Sequence, residues 1–227
     1  MQNLGWHKLV EWRAGHMRIL NQALQAAKRM RILLLVVALL YVGSYLVGWY
    51  LISIKSPVAV ETAQAISGSV LTETPFTTII QSLQEGELVQ AVLITFVLNL
   101  STGAFLTTTL PGAMPLVGAL GTIAISLLRG FVIGVTYPEI LASSATGFAL
   151  GFGTMVFELG AYVFSGAAGI NIALAPIMPG RYGMQSRLAA FKMAWKDAAR
   201  VYVIVAILLA LGAIWEMAGI LLVLRTT

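Results

Sequence analysis

The sequence predicts an all-α polytopic transmembrane bundle of about five spans, preceded by an amphipathic interfacial helix. Three observations predict it. Apolar runs of about 20 residues, the length that crosses a bilayer, recur along the 227-residue chain. Residues are 59% hydrophobic and 10% charged, with a mean hydropathy of +0.88, whereas a soluble domain keeps a skin of about 25% charged residues. The lysines and arginines, finally, are grouped in two places rather than spread.

Residues 1–31 form the first expected unit. On a 3.6-residue wheel Trp6, Leu9, Val10, Trp12, Met17, Leu20, Leu24 and Ala27 share one face, and Lys8, Glu11, Arg18, Gln22, Gln25 and Arg29 the other. That is the pattern of a helix in the membrane interface, with Trp6 and Trp12 at the apolar boundary and Lys28, Arg29 and Arg31 at the headgroups. The same face would serve equally to pack on the protein's own surface. No cleavable signal peptide is expected, because Trp6, Glu11, Trp12 and Arg13 interrupt any short basic-then-apolar pattern.

Residues 32–227 are read as a single transmembrane domain. The first span is expected at 32–54, with Tyr41, Tyr45, Trp49 and Tyr50 in its second half and the last two suited to the far interface. Residues 55–87 are more polar and mildly acidic, with short surface helices expected at Val58–Ser67 and Phe76–Leu83. Further spans are expected at 88–110, 114–136, 142–170 and 201–224. Pro111, Gly112 and Pro115 separate the second from the third, and Tyr137, Pro138 and Glu139 make a turn after the third. Whether residues 165–179 continue the fourth span or re-enter is open. Residues 181–200 are expected to be a separate basic helix.

Six lysines and arginines precede the first span, and five lie between the fourth and fifth; the opposite side holds Lys55 and Arg225. By the positive-inside rule the N-terminus is expected in the cytoplasm and the C-terminus outside. The net charge of +5 is thereby assigned to topology, and no nucleic-acid partner is expected. With no cysteine, and only His7 and His16 for imidazole, no metal, cofactor or thiol chemistry is expected. The P-loop, H-E-x-x-H and G-x-S-x-G patterns are missing, so the chain is not expected to be an enzyme.

The candidate site rests on charges left inside apolar runs. A charge at the bilayer centre costs about 2.5–3.5 kcal/mol on insertion scales, which makes Arg129, Glu158 and Glu216 functional candidates by default. Counting from span centres at about 1.5 Å per residue, Arg129 and Glu216 share a level about 4–6 Å outside the midplane and are the expected ion pair. Glu158 falls just inside the midplane, with Asn99 near the middle of the second span. An architectural ion network and a polar route for an ion, proton or small solute are both open on this reading. Gly130 with Gly134 and Gly147 with Gly151 form small-xxx-small pairs, and Gly166 and Gly169 add to them, as expected of close helix packing.

The second half resembles the stage II sporulation protein M family over roughly residues 85–220. The resemblance is carried by Asn99 in FVLNL, the third span ending in RGFVIG, the stretch FELGAYVFSGAAG and the closing AWKDAARVYVIVAILLALGAIWEM. It implies a five- to six-helix membrane fold, with Glu158, Gly166, Gly169 and Glu216 on the family pattern and Arg129 particular to this chain. It implies no enzyme activity. The function expected is a non-enzymatic, homo-oligomeric membrane component of a prokaryotic cell-envelope complex. The alternative is a channel, a transporter or the membrane subunit of an ABC-type exporter with a partner ATPase, its polar path at Asn99, Glu158, Arg129 and Glu216.

Overall fold

The computed structural model describes residues 18–226, and these are helical almost throughout, with no strand among them. Helix α1 covers residues 18–29. It is followed by α2 (Arg31–Ser53), α3 (Pro57–Thr72), α4 (Phe76–Gln84) and α5 (Leu88–Leu98). From α5 the chain runs into a π-helical segment, Asn99–Thr109, and a 3-10 turn, Leu110–Ala113. Then come α6 (Val117–Ser143), α7 (Ala145–Leu174), a 3-10 turn at Pro179–Tyr182, and α8 (Arg187–Thr226). Five helical stretches are long and apolar enough to cross a membrane: Arg31–Ser53, Leu88–Ala113, Val117–Pro138, Ala145–Leu174 and Arg187–Leu222. Trp6, Trp12 and most of the expected interfacial helix lie outside the described residues.

Four sequence expectations are corrected. The second span reaches Ala113, because the π-helical segment carries it onward beyond α5. The third span ends at Pro138, but the turn expected at Tyr137, Pro138 and Glu139 is not made there: α6 continues through Pro138 to Ser143, and the chain turns at Ser144 in extended backbone. The fourth begins at Ala145, where the Ser144 hydroxyl accepts from the Gly147 N–H, a conventional N-cap. It then runs unbroken to Leu174, so residues 165–174 continue the span, and Pro176 follows the helix end. Residues 187–200 are not a separate helix either. They are the first part of the 40-residue α8, which at 1.5 Å per residue is about 60 Å long, twice the hydrocarbon core.

Helix α7 is central. It packs on α8, α6, α2 and the π-helical segment, and its inner half, Ser165–Ala173, is fully buried. Small residues make this possible, since lipid supplies no hydrophobic drive between helices and association relies on close packing and polar contacts. A Cβ at Gly169 would collide with the Thr108 carbonyl oxygen, and one at Gly166 would come within 3.2 Å of Val37. On the other side of α6, Gly130 and Gly134 lie against the backbone of Tyr41 and Tyr45, and Gly48 of α2 meets Gly134. Gly151 is buried in α7, while Gly147 sits at its cap. Outside this core, α4 turns Ile79 and Leu83 onto Ala91 and Met217.

Along α1 Ala23, Ala26 and Ala27 are buried, and Ala26, Ala27 and the following Met30 join Ala190, Ala194 and Ala198 of α8 in one buried cluster. Leu20 and Leu24 face outward. The alanines, rather than the leucines, therefore meet the protein.

These contacts fix an expected outcome. Gly169→Val forces the π-helical segment off α7 and lowers stability by about 1–3 kcal/mol, the usual range for overpacking. Gly121→Ala, where a Cβ meets nothing within 4 Å, is neutral or gains up to about 1 kcal/mol from helix propensity. Thermal unfolding in detergent measures both; equal losses would contradict the packing described.

Candidate functional site

The π-helical segment starts at Asn99, and its wider winding is held by hydroxyls. Thr107 Oγ1 donates to the Gly103 carbonyl at 2.7 Å, and Thr108 Oγ1 to that of Ala104. Thr122 Oγ1 reaches across from α6 to the Thr108 carbonyl at 2.9 Å. Thr109 Oγ1 donates to the Ser165 carbonyl at 3.0 Å and accepts from Tyr202 OH at 2.8 Å. In lipid, backbone that departs from the α-helical ladder survives only when neighbours satisfy it, and these side chains do so. Gly103 adds room: a Cβ there would stand 2.7 Å from the Tyr162 hydroxyl.

This geometry presents Asn99 to α7. Its Nδ2 donates to Glu158 Oε1 at 2.7 Å, while its Oδ1 accepts from Tyr162 OH at 3.1 Å. Glu158 and Tyr162 are one turn apart, so a single amide bridges both. The Tyr162 ring in turn carries the Arg129 guanidinium, whose Cζ lies 4.3 Å from the ring centroid, within cation–π range. Arg129 Nη2 donates to Thr107 Oγ1 at 2.7 Å. Its buried Nη1, like the buried Tyr41 hydroxyl next to it, makes no hydrogen bond among the described residues.

The expected Arg129–Glu216 ion pair is therefore not formed. Both ion pairs among the described residues involve Asp197. The reason is topological: α7 lies between α6 and α8, which make no substantial contact with each other. Height along the membrane normal matched Arg129 to Glu216, but lateral position separates them. Glu216 instead works on α7. Gly212, one turn before it, packs against Glu158, with its Cβ position 3.5 Å from Glu158 Cγ. Asn99 and Glu158 thus meet directly, Arg129 reaches them through Tyr162, and Glu216 lies one turn beyond the Gly212 that packs on Glu158.

A second charged group was not foreseen. Asp197, fully buried, accepts from Arg29 Nε at 2.8 Å and from the Arg29 Nη2, and also from Arg200 Nη1 at 3.1 Å. Hydrogen bonding to Asp197 raises the Arg29 pKa above its ordinary value. Sequence offered one sign of it: Asp197 is the single acid among five bases between 181 and 200. Tyr162 and Thr107 gave less. Tyr162 is four residues from Glu158, but nothing in the sequence says that its hydroxyl and ring would link Asn99 to Arg129.

The fold and the buried polar group define an all-α, multi-pass membrane protein. The chain belongs to the stage II sporulation protein M family, whose family profile matches residues 32–217. The match extends the resemblance back from the second half to the first span. No curated protein and no solved structure matches the chain.

The Asn99 bridge makes a quantitative expectation. Asn99→Ala removes a hydrogen bond to a carboxylate and is expected to cost about 1.5–3 kcal/mol, and Tyr162→Phe about 0.5–1.5 kcal/mol. Because both act through one amide, the double variant should cost less than the sum. A double-mutant cycle of unfolding in detergent measures this, and strict additivity would break the bridge.

Proposed function

We propose that this protein is a non-enzymatic membrane component that takes up and passes a proton or small cation, with Asn99, Glu158 and Glu216 as the groups that meet it. One observation carries the reading: Glu158 is held by the neutral Asn99 amide, Glu216 follows one turn beyond the Gly212 that packs on it, and the Arg129 guanidinium bonds to Thr107 and to neither carboxylate. Ionisable groups inside spans are candidates for ion and proton routes, and an architectural network would bring the guanidinium onto a carboxylate. Arg129, seated on Tyr162 and Thr107, serves as a fixed counter-charge. Glu158→Gln is expected to cut proton or monovalent-cation flux into reconstituted liposomes by at least about tenfold, the typical scale of a removed charge-assisted contact, with the melting temperature held near wild type. Glu216→Gln should reduce flux less. Unchanged flux in Glu158→Gln, together with lower stability, would return the carboxylates to a structural role.

A second reading, a homo-oligomeric scaffold in a cell-envelope complex, is favoured by a different feature. Leu39, Leu40, Gly43, Ser44, Val47, Leu127 and Phe131 line an outward apolar groove between α2 and α6, and Gly43 leaves open space at its floor. A helix of a second copy, or of a membrane partner that recruits an ATPase, fits such a groove. Gly43→Leu would then shift the oligomer to monomer in mild detergent by light scattering; an unaltered mass would remove the argument. In either reading the basic ends of α1 and α8 lie in the cytoplasm of a prokaryotic cell, by the positive-inside rule. A cysteine at Thr227 should label from outside in intact cells, and protection there would reverse the orientation.

A further inference from the structure

We infer that the basic end of the bundle is a docking platform for anionic phospholipid headgroups, assembled from α1 and α8 by the Arg29–Asp197–Arg200 triad. The argument starts from which cations the fold uses. Arg29 and Arg200 are spent on Asp197. Lys28, Arg31, Lys192 and Lys196 are exposed and, among the described residues, make no hydrogen bond or ion pair. No unpaired acid among the described residues accompanies them on these two helices at this end.

Their levels coincide. The triad sets Arg29 beside Asp197, and at 1.5 Å per residue Lys28, Arg31, Lys192 and Lys196 all fall within about 8 Å of that level along their helices. A headgroup layer is about 5–8 Å deep on each side of the hydrocarbon core. Four free cations, one each from α1 and α2 and two from α8, thus occupy a slab of headgroup thickness. Their faces agree as well. Lys192 and Lys196 share the side of α8 that carries the exposed Leu188, opposite the buried stripe of Ala190, Ala194, Asp197 and Val201. Exposed Leu24, Ile32 and Leu35 flank Lys28 and Arg31 in the same way. Apolar side chains beside long basic ones match acyl chains beneath phosphates.

Asp197 gives the platform its distinguishing property. It removes one positive charge from the end of the bundle, yet it holds the two basic helices in register. Simple attraction by net charge and a built platform therefore predict opposite results when it is neutralised.

The test uses the full chain in nanodiscs of equal parts phosphatidylglycerol and phosphatidylcholine, with the lipids that remain bound counted by native mass spectrometry. Wild type should retain phosphatidylglycerol preferentially, and about 1 M salt, where the screening length is about 3 Å, should erase the preference. Lys192→Gln with Lys196→Gln should weaken it about fivefold per cation. Asp197→Asn should weaken it too, although net charge rises by one. Equal retention of both lipids by wild type, or an unchanged preference in the double lysine variant, overturns the inference. A stronger preference in Asp197→Asn overturns the platform and leaves bare charge. Should Asp197→Asn fail to fold, the lysine pair decides alone, since both side chains are exposed and support no internal contact.

Discussion

Every backbone polar group within the membrane must find a partner inside the protein, and the segment Asn99–Thr109 is where that constraint is hardest to meet. A π-helical stretch of eleven residues gives up the regular α-helical ladder in a place where water cannot compensate. Its neighbours are chosen accordingly. Thr107, Thr108 and Thr109 bond back to backbone, Thr122 and Tyr202 reach in from α6 and α8, and Gly103 and Gly169 let other chains approach. The reward is position. The segment begins at Asn99, so a single amide is brought to face Glu158 and Tyr162 together. Such windings tend to occur at functional sites, and here the winding and the site begin at the same residue.

The hydroxyls of this segment also limit what the interior can do. Thr107, Thr108 and Thr109 each donate to a carbonyl oxygen. A proton relay needs groups that both accept and pass on a proton, and a carbonyl ends the chain. The threonines therefore hold backbone.

Much of the fold was legible because its signals are compositional. Length and hydropathy mark five runs, and the glycines at 130, 134, 166 and 169 mark close contacts. What failed were readings that treat each segment alone. Pro138 was taken as a stop, but the helix carries on past it. The basic stretch before the last span reads as separate, yet no Gly or Pro stands between Arg187 and Leu211, and the alanine stripe of α8 packs against α1. Asn99, Glu158 and Glu216 were visible as polar residues in apolar runs, while Tyr162, Thr107 and Asp197 were not. The difference is physical: a charge in lipid is costly wherever it sits, so sequence exposes it, whereas a tyrosine gains its role only from what stands opposite.

The expected Arg129–Glu216 pair shows where depth arithmetic ends. Rise per residue fixes a side chain's height along the membrane normal and leaves its lateral position free. Two groups at one height pair only if their helices are neighbours, and α7 keeps α6 and α8 apart. The consequence concerns charge. A direct pair would have neutralised Glu216 and left Glu158 alone with Asn99. Instead Arg129 is held on Tyr162 and Thr107, and Glu158 is held by the Asn99 amide. Arg129 therefore sits in this interior with no carboxylate bonded to it among the described residues.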